Sequence, residues 1–212
     1  MPRQNRATPF GQLIAVPDRG LLLGNRGVLV DARGQLTRRQ WSTWAWIACV
    51  LQFKGRRRKL MQPGTWTELF FLDEATALAA GHRPCGECRR ADYQRFKQAW
   101  LAANGERLPD GVITIQGVDR ILQAERAPRW KGTPYPEATL AGLPNGAMVL
   151  LPGSDTPHLV WGGGLLPWSP GGYGTPAPYA SHRTVRVITP PSIVAAIRAG
   201  YAPLVHPSAR TK

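Results

Sequence analysis

Proline and glycine set the strictest limit on this chain. With 20 Pro and 23 Gly among 212 residues, regular elements are interrupted often, because proline lacks a backbone N–H and glycine loses the most conformational freedom on folding. Elements must be short and joined by many turns, which excludes a long helical bundle. The density peaks between Gly132 and His182, where nine prolines and ten glycines accompany no lysine or arginine. A hydrophobic fraction of 43% with eight tryptophans nevertheless marks a folded protein, long enough to bury its own core without disulfides.

The apolar patterning places the elements. GQLIAV, GLLLGNRGVLVD and WAWIACVLQF carry β-branched and aromatic residues separated by PDRG and DARG turns, and read as strands. WIACVLQF, the basic run KGRRRK and LMQPGTWTELFFL are expected to form a hairpin or a pair of strands, with the charges at the tip of their connection. Asp73 caps a short helix that stops at Gly81. A second helix is expected over residues 91–103, with Tyr93, Phe96, Ala99 and Trp100 on one face. Val118, Ile121, Leu122 and Glu125 predict a third. Beyond residue 132, AMVLL, HLVWGG and TVRVIT read as short strands, followed by a helix capped by Thr189, with Pro190 first and Gly200 past its end. The sum is an α+β fold, with a basic, β-rich unit over 1–131 and a Pro/Gly-rich β segment ending in a helix over 132–212. ATALAAGHRPC and IVAAIRAGYAPLVH echo one another, a repetition attributable to a shared way of stopping a helix.

Charge narrows the function. The formal net charge is +14, which favours a polyanionic partner. It is unevenly placed: residues 1–131 hold 22 basic and 11 acidic side chains, residues 132–182 none and two, and residues 183–212 five and none. The first twenty residues contain no apolar signal region, and no stretch is long and apolar enough to span a bilayer, so a cytoplasmic protein without a membrane partner is expected. Three cysteines under those conditions favour metal or thiol chemistry over disulfides.

Cys85-Gly86-Glu87-Cys88 is the sharpest local motif. Two thiolates on a tight turn, separated by two residues, can face one cation and supply half of a tetrahedral zinc site. A redox dithiol has the same spacing but normally opens a helix in a βαβ unit, which is not evident here. Cys49, on a predicted strand, is the only other thiol and becomes a third ligand if that strand lies against the turn; otherwise it is a small buried side chain. His82 is the nearest candidate for a fourth. Lys54, Arg56, Arg57, Arg58 and Lys59, with Arg83, Arg89 and Arg90 flanking the cysteines, are the candidate nucleic-acid contacts. Trp41, Trp44, Trp46 and Trp66 are either base-stacking platforms or core. Glu68, Asp73, Asp119 and Glu125 are candidate carboxylates for a metal-dependent nuclease, without diagnostic spacing.

Leu72 to Arg90, LDEATALAAGHRPCGECRR, resembles the zinc-binding segment of the N-terminal domain of the Ada family of methylphosphotriester DNA repair proteins, over about residues 67–90. The resemblance implies a zinc cofactor, a DNA partner, and Cys85 and Cys88 as the downstream pair of four cysteine ligands. Cys49 falls near the upstream pair, but Phe53 stands where its companion cysteine belongs. In that family an upstream ligand accepts a methyl group from a DNA phosphotriester, a role for which Cys49 is the sole candidate here. Three functions follow: a zinc-dependent nucleic-acid-binding protein active in DNA repair or processing, an enzyme acting on nucleic acid (a metal-dependent nuclease or a phosphotriester repair protein), or a module binding acidic protein partners.

Overall fold

The computed structural model describes residues 1–55, 59–109, 114–176 and 180–209. The α+β expectation holds, with one mixed and one antiparallel sheet of short strands around small helices. The first sheet contains β1 (Arg6–Ala7), β2 (Leu13–Ile14), β3 (Leu22–Asn25), β4 (Ile47–Val50), β5 (Leu69–Phe71) and β6 (Arg83–Pro84), in the order β2-β1-β5-β3-β4-β6. The second contains β7 (Glu137–Thr139), β8 (Met148–Leu150), β9 (Pro157–Trp161), β10 (Gly164–Ser169), β11 (Gly172–Tyr173) and β12 (Thr184–Val187), in the order β11-β10-β9-β8-β12-β7. The helices are α1 (Glu74–Ala79), α2 (Arg90–Asn104), α3 (Ile115–Arg126) and α4 (Pro191–Arg198).

WIACVLQF and LMQPGTWTELFFL each supply a strand, β4 and β5, but the two do not form a hairpin. Strands β4 and β5 each pair antiparallel with β3, which lies between them. They therefore run in the same direction, and strands of equal direction cannot be joined by a tight turn. The connection carrying KGRRRK is a long crossing, and Arg56, Arg57 and Arg58 lie outside the described residues.

Helix α1 organises the interior. All six of its residues are buried, and its small side chains distribute to three clusters. Ala75 and Ala79 pack with Met148, Leu150, Leu159 and Leu166 of the second sheet, and Ala77 with Leu22, Leu69 and Phe71 of the first. Leu78 joins Phe96, Trp100, Leu122, Ile193 and Tyr201 among the helices. Alanine at these positions lets both sheets approach closely. The Pro/Gly-rich half thus shares two clusters with residues before 131.

The helix ends explain the sequence echo. The Asp73 carboxylate accepts from Thr76 N at 2.8 Å as the α1 N-cap. At the other end Gly81 (φ 85°) donates to Leu78 O and His82 N to Ala77 O. Helix α4 ends identically, with Gly200 (φ 102°) N donating to Ile197 O and Tyr201 N to Ala196 O. Both are Schellman closures, whose glycine must adopt positive φ. The start of α4 differs by one residue from expectation. Pro190 is its N-cap, and Thr189 Oγ1 instead accepts from Met148 N at 2.8 Å, tying the helix entry to β8.

Candidate metal centre

Parallel pairing of β4 with β6 creates the thiol group. Ile47 and Ala48 lie opposite Arg83 and Pro84, and Arg83 N and Cys85 N donate to Trp46 O and Ala48 O. This register carries Cys49 to the turn that holds Cys85 and Cys88, and the three sulfurs lie within 4.8 Å of one another. Cys49 and Cys85 are buried and Cys88 is half-buried. Gly86 sits under the Tyr93 ring, where an added Cβ would still have ordinary contact at 3.7 Å.

The three thiols can bind a metal ion. Sulfurs about 2.3 Å from a tetrahedral zinc are roughly 3.8 Å apart, so the group needs only a small contraction to close on an ion. Backbone N–H groups already favour thiolates: Glu87 N donates to Cys85 Sγ at 3.4 Å, Cys88 N also faces that sulfur, and Val50 N faces Cys88. Hydrogen bonding from the Cys49 thiol holds Cys85 well below the ordinary thiol range, and the same bond pushes Cys49 up, with burial adding to it. Burial is also the main cause of the raised Cys88 value. Among the described residues no fourth protein ligand joins the group.

His82 lies elsewhere. It is fully buried between Trp46 and Phe71, at ring-centroid distances of 5.0 and 4.6 Å. Neither ring nitrogen completes a hydrogen bond, although the carbonyls of Ala77 and Ala80 approach. The Schellman closure places His82 at the α1 exit, facing the core, so it is a packing residue outside the thiol group.

Two of the expected nucleic-acid contacts are also buried. Arg83 forms a two-toothed ion pair with Asp119 of α3, both bonds 2.7 Å. Arg89 pairs with Glu74 at 2.8 Å and with Asp92 at 2.8 Å. Each is 6% exposed, and both tie the cysteine turn to α1 and α3, an internal role in place of the solvent-facing one expected. Lys54, Lys59 and Arg90 are exposed. Of the tryptophans, Trp46 is fully buried between the guanidinium groups of Arg26 (4.6 Å) and Arg126 (4.0 Å), while Trp44 is 53% exposed.

The four candidate carboxylates do not converge. Glu68 accepts from Met61 N, Glu125 holds Ser192 and Arg107, and Asp119 holds Arg83. Asp73 accepts from Tyr173 OH at 2.8 Å and His206 N at 2.9 Å as well as capping α1. Its neighbour Glu74 accepts from Tyr201 OH at 2.5 Å and Leu204 N at 2.8 Å. These acids fasten the C-terminal segment to α1.

The chain matches no family model, and comparison with curated proteins and with solved structures likewise finds no match. No helix among the described residues is long and apolar enough to cross a membrane.

Proposed function

We propose that this is a zinc protein that binds nucleic acid, DNA in particular, in repair or processing, with the ion held by Cys49, Cys85 and Cys88 and its binding energy helping to fix the turn between β6 and α2. The observation that carries the reading is the convergence of three sulfurs from two separate segments within 4.8 Å. Soft sulfur ligands favour zinc over magnesium or calcium. The nucleic-acid part is supported by the net charge of +14, by the exposed Lys54, Lys59 and Arg90, and by the resemblance of residues 72–90 to the Ada zinc segment.

Metal analysis of the purified protein tests the first part. Zinc is expected at near one ion per chain, and Cys85→Ala is expected to weaken its retention by about 100-fold or more, since even outer-shell changes cost 10–100-fold. A wild-type protein that carries no zinc and takes none up from buffer rules the reading out.

A second reading, an enzyme acting on nucleic acid, is favoured by the three-ligand set, because catalytic zinc sites keep a position open for water or substrate. Nicking of plasmid DNA in the presence of Mg, Mn or Zn would support it. For phosphotriester repair, a one-methyl mass increase on Cys49 is required, yet Cys49 is buried and Cys88 is the more exposed sulfur.

A further inference from the structure

A cavity of about 600 Å³ opens beside β1 and β5, between the β2–β3 connection and the chain leaving β4. Arg3, Arg6 and Arg19 line it, Leu51 and Phe70 form apolar wall, and among the described residues no acidic side chain lines it. Arg6 lies over the Phe70 ring at 4.7 Å and is anchored by donation from Nε to Asp18 O at 2.6 Å. Its Nη1 donates to Asn5 Oδ1 at 2.6 Å. That bond fixes which way the Asn5 amide points, and Asn5 Nδ2, on a residue 1% exposed, is left without a partner.

The cavity therefore gathers three guanidinium groups and, among the described residues, no carboxylate. Burial, then the charge of Arg19, lowers the Arg6 pKa, with Asp18 offsetting part of it. The Asp18 carboxylate does not line the cavity and is turned toward Gly171, where an added Cβ would meet its Oδ1 at 2.6 Å. Clustered guanidinium groups that face no carboxylate call for an anion with several acceptor oxygens, which is the chemistry of phosphate. The volume exceeds a phosphate and leaves apolar wall for an attached organic group. Leu51 and Gln52 of the lining follow Cys49 by two and three residues, and Leu60 follows the KGRRRK run.

We propose that this cavity is a phosphate-binding site that takes a backbone phosphate of a nucleic-acid strand, with Arg6 and Arg19 as donors. The strand as source of the phosphate rests on the nucleic-acid reading above; the anion site itself rests on the cavity alone.

The experiment measures two ligands on the full chain: a fluorescein-labelled single-stranded oligonucleotide by anisotropy, and inorganic pyrophosphate by titration calorimetry. Arg19→Gln is the test variant, because Arg19 is exposed and its replacement disturbs no buried contact of the core. Lys131→Gln, exposed and outside the cavity, removes the same charge as a control. Arg19→Gln is expected to weaken oligonucleotide binding by roughly 5- to 10-fold at about 50 mM salt and reduce the salt slope by about one, and to weaken pyrophosphate binding, with Lys131→Gln changing either by less than about twofold. Equal behaviour of the two variants with both ligands overturns the site. Arg19-dependent pyrophosphate binding by a protein that binds no oligonucleotide overturns the strand as occupant and the nucleic-acid reading with it, while the anion site stands.

Discussion

His82 and Arg83 stand side by side, three and two residues before Cys85, and both have been drawn inward. His82 is neutral in the folded protein because burial, followed by the charges of Arg26 and Arg126, holds its pKa well below the ordinary value. The unfolded chain takes up that proton below about pH 6.5 and the folded chain does not, so stability is full above that pH and falls by about 1.4 kcal/mol per unit as the pH drops further, until the folded His82 itself titrates. His82→Phe should keep the ring stack, leave stability at pH 7 within about 1 kcal/mol or raise it, and flatten the acid limb of a urea-denaturation series. An equally steep limb in the variant would show that another group carries it. For Arg83, removing one partner of a buried ion pair leaves Asp119 uncompensated. Arg83→Gln should cost about 3–5 kcal/mol in chemical unfolding. Its salt slope for DNA should match the wild type, because a 6% exposed guanidinium reaches no phosphate.

At the scale of elements, α1 depends on its entry more than on its length. Six residues are too few for a helix to persist alone, so the element is held by burial and by Asp73. That carboxylate caps Thr76 N and also receives the Tyr173 hydroxyl and His206 N. Asp73→Ala removes the cap, worth about 1 kcal/mol, and strands further buried donors, so a loss of about 3 kcal/mol in thermal or urea unfolding is expected. A loss no larger than that of an ordinary exposed cap would mean that the C-terminal segment docks without it. Strand β6 poses the opposite case. It is two residues long, among the described residues pairs only with β4, and sits at the sheet edge, so its position rests on the Arg83–Asp119 pair and, by the proposed function, on the metal.

For the whole molecule, the four apolar clusters contain none of the cysteines. Chelation should therefore lower the melting temperature by several degrees and loosen the region around residues 83–92 without abolishing the fold; complete unfolding on metal removal, seen by circular dichroism, would contradict this placement. Much of the layout was legible in the chain. The Asp73 cap, the Gly81 and Gly200 stops and the apolar faces of α2 and α3 are local chemistry, decided by residues a few positions apart. Cys85 and Cys88 were legible for the same reason, sharing one turn. Cys49 was ambiguous until the β4–β6 register brought it across. Of the two arrangements expected for β4 and β5, a hairpin or a pair of strands, the hairpin fails because strand direction depends on β3, a partner distant in sequence. Arg83 and Arg89 were misread because composition reports that a charge exists and not which carboxylate a folded chain sets beside it. The charge asymmetry was visible from the outset, yet its consequence was not. Tertiary structure turned Arg83 and Arg89 inward as fasteners and left Arg3, Arg6 and Arg19 around an open cavity, because burial and pairing are settled by contacts between segments rather than by the order of residues along them.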